Sequence, residues 1–96
     1  MKHLEKATRE LLHVTLDQMR TTSKDRHLAD ARRIFVFIAI RKIVTTQKDL
    51  AKHLNRSPSW VTHTFDSAAS LMTVNSNFRA LLNQVEDYYL TLKKHR

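Results

Sequence analysis

The chain has no glycine, no cysteine and a single proline, Pro58, among its 96 residues. Each absence excludes something. Tight β-hairpin turns lean on glycine for positive φ, so a chain without it points away from a β-rich fold and toward an all-helical one. Without cysteine there is no disulfide framework and no thiolate metal site, and nothing ties the protein to an oxidising compartment. Long apolar runs are missing too. The longest, Ile34 to Ile40, is far short of the roughly 20 residues a membrane-spanning helix needs. Residues 1–20 alternate charged and apolar residues without the apolar core of a signal peptide, so a cytoplasmic protein without a membrane is expected. The length suits one domain, 1–96, with a core that stands without metal or disulfide support.

Acidic residues are also few. Nine carboxylates face 17 Lys and Arg, a net charge of +8. The excess is local: residues 20–60 hold ten basic and three acidic side chains, a balance of +7, and the remainder is near neutral. Charge confined to one segment can become one face of a small domain, and such a face attracts a polyanion.

Hydrophobic periodicity predicts five helices. The first spans about 3–20, with Leu4, Ala7, Leu11 and Val14 on one stripe and Leu12, Leu16 and Met19 beside it. "RTTSKD", residues 20–25, reads as a polar loop. A second helix over about 25–45 has an apolar middle, "IFVFIAI", with no polar face, and so is expected at the centre of the bundle. Thr46 can cap a short third helix, 47–54, with Asp49 in a capping-box-like position. Asn55 tolerates the left-handed conformation that ends helices, Ser57 can cap the next, and Pro58 suits its first position. That fourth helix, 58–72, turns Val61, Phe65, Ala68 and Met72 inward. Asn75 or Asn77 caps the last, where Phe78, Leu81, Leu82, Val85, Tyr88, Tyr89 and Leu92 keep helical spacing.

The segment 47–72 meets the packing demands of a helix-turn-helix. Ala51 supplies the small residue where two helices cross, Asn55 the residue at ease with positive φ, and Val61 the branched anchor of the second helix. With Val61, Phe65 and Ala68 inward, Ser59, Thr62, His63 and Trp60 turn outward, where a recognition helix would meet the major groove. Ser and Thr can bond to base edges or phosphate, and Trp60 offers apolar surface and an N–H donor, or else packs on the core.

Three stretches carry a resemblance: "SKDRHLADARRIFVFIAIRK", "DLAKHLNRS" and "RSPSWVTHTFDSA". From about residue 9 to 90 the chain resembles the C-terminal DNA-binding domain of the bacterial replication initiator DnaA, a Trp-repressor-like helical fold. The family signature is an Arg followed by Asp-His-Thr-Thr-Val and a later His. Arg56, Val61 and His63 match its Arg, Val and His, and Ser59 stands in for its first Thr. Ser57, Pro58 and Trp60 depart from its Asp, His and second Thr. Lys24 falls where the family has a basic residue reaching into the minor groove. The resemblance implies a stand-alone binder of double-stranded DNA, bacterial or phage-encoded and acting at the nucleoid. Its role would lie in transcription regulation or in replication and maintenance of a phage or mobile element. A monomer on a single site is expected, with a homodimer as the alternative.

On this reading Arg56, Ser57, Ser59, Trp60, Thr62 and His63 line the major groove, Lys24 and Arg26 approach the minor groove or backbone, and Arg32, Lys48 and Lys52 contact phosphate. No enzyme is expected: the six histidines form no i, i+4 pair, and neither a Ser-His-Asp arrangement nor a Gly-rich phosphate loop is present. No cofactor and no metal is therefore expected. A helical protein-interaction adaptor using the Tyr88/Tyr89 helix is the competing expectation.

Overall fold

The computed structural model describes residues 1–43 and 45–94. It is all-helical, with six helices among the described residues: α1 (Lys2–Leu12), α2 (Leu16–Arg20), α3 (Arg26–Lys42), α4 (Gln47–His53), α5 (Pro58–Val74) and α6 (Ser76–Lys94). No helix among them is long and apolar enough to cross a membrane.

Six helices replace the expected five because the first is broken. α1 buries Leu4, Ala7, Thr8 and Leu12 and ends at His13, which takes the left-handed conformation (φ 59°). Thr15 then starts α2 with a full capping box. Its Oγ1 accepts from the Gln18 N–H (3.2 Å), and its own N–H donates to Gln18 Oε1 (2.8 Å). The break re-phases the chain: Val14 and Met19 are buried, whereas Leu11, expected on the inward stripe, is exposed.

The Asp25 carboxylate caps α3, accepting from the N–H groups of His27 (2.9 Å) and Leu28 (3.2 Å). From Ile34 to Ala39 every side chain is buried, so α3 is the central helix. It stops at Lys42 rather than running to 45, and Ile43 is extended (φ −112°). Val44 lies outside the described residues. Thr46 caps α4 by accepting from Asp49 N–H (3.1 Å).

The α4–α5 turn has a Schellman geometry. Asn55 sits at φ 55°, its N–H donates to Lys52 O (3.2 Å), and Arg56 N–H donates to Ala51 O (2.8 Å). Ser57 Oγ then accepts from Trp60 N–H (3.2 Å), with Pro58 opening α5. α5 runs two residues further than expected, to Val74. Asn75 Oδ1 accepts from Phe78 N–H (3.0 Å) and caps α6.

All six helices feed one hydrophobic cluster. α6 lies against α1, α3 packs chiefly against α5, and α4 crosses α5. Val61 and Ala68 of α5 are buried, and Phe65 stacks on Phe37 (centroids 5.0 Å apart, planes at 16°). In α6, Phe78, Leu82, Val85 and Tyr89 are buried, while half-buried Tyr88 bonds through its hydroxyl to Glu10 on α1. The α6 face that carries the tyrosines is thus turned toward α1. His95 and Arg96, from the basic tail, lie outside the described residues.

Candidate nucleic-acid interface

Three parts of the chain meet beside the α4–α5 turn: the loop 21–25, the first turns of α3 and the start of α5. Two arginines, Arg32 and Arg56, hold them together.

Arg32 is the correction. It was expected to reach phosphate, yet its side chain is buried and spent inside the protein. Nε donates to Met19 O (2.9 Å), Nη1 to Ser23 O (2.8 Å), and Nη2 to Thr21 O (2.8 Å) and Thr21 Oγ1 (3.2 Å). The cause is helical phase. Leu28, Arg32, Phe35 and Ala39 follow i, i+4, i+7, i+11 and share the inward stripe of α3, so the guanidinium runs under the loop rather than out to solvent. Burial lowers the Arg32 pKa from its ordinary value, and the nearby Arg56 charge lowers it further.

Arg56 reaches across from the turn to the same loop. Its Nη1 donates to Arg20 O (3.0 Å) and its Nη2 to Thr21 O. The guanidinium also lies 5.1 Å from the centroid of the Trp60 ring. Arg20, in turn, donates from Nε to His53 O (2.8 Å) at the end of α4. Thr21 O therefore accepts from both Arg32 and Arg56. Among the described residues, no carboxylate pairs with either guanidinium. Two cations stand close together and are satisfied chiefly by carbonyl dipoles, with the Thr21 hydroxyl and the Trp60 ring as further partners.

Between the loop and α5 opens a cleft of about 480 Å³, walled by Ser23, Lys24, Arg32, Asn55, Arg56 and Trp60. A smaller one, about 240 Å³, continues along α3 and α5 past Arg33, Trp60, His63 and Ser67. Lys24, Arg56, Trp60 and His63, distant in sequence, thus share one trough. Trp60 is half-buried and packs against the core, as the packing reading expects, while lining both clefts.

The other expected residues are distributed less tightly. Ser57, Ser59, Thr62 and His63 are exposed along the first turns of α5. The Ser57 and Ser59 hydroxyls lie 3.2 Å apart, and Thr62 Oγ1 donates to Gln47 Oε1 on α4 (2.9 Å). Lys48 and Lys52 are exposed on α4, outside the trough walls. Arg26, also exposed, lines a separate and larger cleft. Among the described residues, no group of three or more His, Asp or Glu side chains could hold a metal.

Four residues at the site were not singled out from sequence: Arg20, Thr21, Asn55 as a wall, and Arg33. Arg33 donates from Nε to Ser67 Oγ (3.0 Å) and from Nη1 to Asp30 Oδ1 (3.0 Å), so it, not Arg32, lies on the α5-facing surface. The signal was available in the i, i+4 phase of the paired arginines. Thr21 gave none, because it acts through its backbone carbonyl. No protein-family model matches the chain, and no curated protein is significantly similar to it.

Proposed function

We propose that this protein binds double-stranded DNA, with α4 and α5 acting as a helix-turn-helix and the start of α5 entering the major groove. One observation carries the reading. The Arg56–Thr21–Arg32 bridge ties the basic loop to the α4–α5 turn that leads into α5, so loop and turn present their cations as one unit. Lys24 and Arg26 then approach the backbone or minor groove while Ser59, Thr62 and His63 face base edges. Lys48 and Lys52 flank them from α4. The local balance of +7 and the uncompensated guanidiniums supply the attraction that a phosphate backbone needs. The resemblance to the DnaA C-terminal domain supports the same docking, with a preferred site altered at Ser57, Pro58 and Trp60.

The test is fluorescence anisotropy with an initiator-box duplex, a scrambled duplex and a random pool, at two salt concentrations, with bound pool members sequenced. If Lys24, Arg26, Lys48, Lys52 and Arg56 each neutralise a phosphate, log K against log salt should fall with a slope of about −4.5. Lys48→Ala should reduce that slope by roughly 0.9 and weaken all sequences alike. His63→Ala should instead cost about 1–3 kcal/mol and relax the enriched motif at one position. Absence of binding at about 50 mM salt, the low-salt range in which phosphate contacts are strongest, would end the proposal.

A further inference from the structure

The largest of the three clefts, about 700 Å³, lies away from the start of α5 and shares only Lys24 and Arg26 with the docking just described. It sits in the crook where the start of α3, the end of α5 and the start of α6 meet. Its walls divide by chemistry. Lys24, Arg26 and Arg33 stand on the α3 side, whereas Leu71, Phe78 and Leu81 make an apolar surface opposite. Ser70 and Asn75 close the third side. The Asn75 carboxamide oxygen is occupied by the Phe78 N–H, so its NH2 is the group left to donate to a ligand.

We infer that this cleft binds a small amphipathic anion: a planar aromatic group bearing a phosphate or similar acidic group, of nucleotide size. The volume is within the range of small-molecule sites, and such sites pair apolar walls with a few convergent polar groups. Three cations stand beside one carboxylate, Asp30, and that carboxylate is already paired with Arg33. The site thus keeps excess positive charge beside an apolar surface made of half-buried Leu71 and Leu81 over the buried Phe78. A bare anion leaves the half-buried Leu71 and Leu81 uncovered, and a neutral aromatic leaves Lys24 and Arg26 without a partner in the cleft. Only a ligand carrying both features satisfies both walls. Lys24, which also lines the cleft beside Arg56, and Arg26 both belong to the DNA-binding surface, so an occupied site would compete for two of its cations. That competition rests on the DNA-binding reading; the binding itself does not.

The experiment is an NMR titration of the 15N-labelled protein with 1-naphthyl phosphate, and in parallel with inorganic phosphate and with 1-naphthol. Binding at this cleft should give saturable amide shifts clustered at Ser67–Leu71 and Asn75–Leu81, with either control at least about tenfold weaker. Ser70→Glu adds a negative charge at an exposed cleft position and should weaken 1-naphthyl phosphate at least about tenfold, with the spectrum otherwise native. Shifts confined to Thr22–Lys24 and Asn55–Trp60 would overturn the inference and leave the DNA-binding reading intact, since the anion would then be using the phosphate-facing cleft. Equal affinity for inorganic phosphate, or no saturation up to about 5 mM, would also overturn it. Loss of DNA binding in the anisotropy assay, with saturable naphthyl phosphate binding retained, would remove the competition and leave the site.

Discussion

Arg32→Ala should be the most damaging substitution of any charged residue in this protein. The side chain joins α3 to the end of α2 and to the loop through four hydrogen bonds, all to Met19, Thr21 and Ser23. Water can replace the guanidinium at exposed Thr21 and Ser23, but Met19 is buried, and its carbonyl would lose a charged donor. An unsatisfied buried acceptor costs about 1–3 kcal/mol. The stem adds roughly 0.8 kcal/mol for each methylene whose burial is lost. Against this, burying a guanidinium without a carboxylate is itself unfavourable, and deletion recovers part of that cost. The net expectation is a loss of about 3 kcal/mol, out of the 5–15 kcal/mol typical of a whole domain. At about 4–8 °C per kcal/mol for this chain length, the thermal midpoint should fall by about 12–24 °C. Arg33→Ala is the internal control. Its ion pair with Asp30 is about one-third exposed on each side, and such pairs contribute about 1 kcal/mol or less. Urea denaturation of the two variants with a common m-value decides the matter. Arg32→Lys should recover only part of the loss, because an ammonium cannot fork across three carbonyls. If Arg32→Ala unfolds within about 0.5 kcal/mol of the wild type, the range of an ordinary surface substitution, the guanidinium is not organising the loop and this account of the site fails.

Three further outcomes follow from the caps and the termini. Asn55→Ala should cost about 1 kcal/mol because of its positive φ, whereas Asn55→Gly should be neutral or nearly so. Equal melting of the two variants would mean that the α4–α5 turn does not hold that conformation. Thr15→Ala removes the capping box of α2 and should cost about 1 kcal/mol, with amide exchange rising in 15–20 before any other helix. Tyr89 is buried and its pKa raised by that burial, so the unfolded chain ionises first. Stability should be flat below about pH 10 and fall as pH rises above it, since the folded state resists losing the proton. Tyr89→Phe should flatten the decline seen by circular dichroism, and an unaltered decline would assign it to other groups.

Most helix boundaries can be read from the sequence because they rest on local chemistry. Thr46, Ser57 and Asn75 each cap through a bond spanning three residues, and Asn55 turns the chain by its own backbone tolerance. The misreadings arose where two local signals competed or where a third element decided. "TLDQ" at 15–18 is a complete capping-box pattern. It lies inside an apolar periodicity that continues past it, and His13 ends α1 in a left-handed conformation that a chain without glycine must assign to another residue. Arg32 and Arg33 differ by one step of about 100° on the helix, yet one is buried and the other meets α5. Charge alone says that such residues want water. Phase says otherwise for Arg32, and phase wins because the loop carbonyls replace the water it loses. The same substitution of partners underlies the candidate interface. A basic loop in a protein without glycine, held only by its own backbone, would be free to move away from α5. Arg32 from below and Arg56 from the side converge on Thr21 O and fix its position, and the bonds use carbonyls rather than carboxylates. Carboxylate partners would have held the loop as firmly but cancelled its charge. Carbonyl partners hold it and leave both guanidinium charges uncancelled, which is what the proposed contact with a polyanion requires.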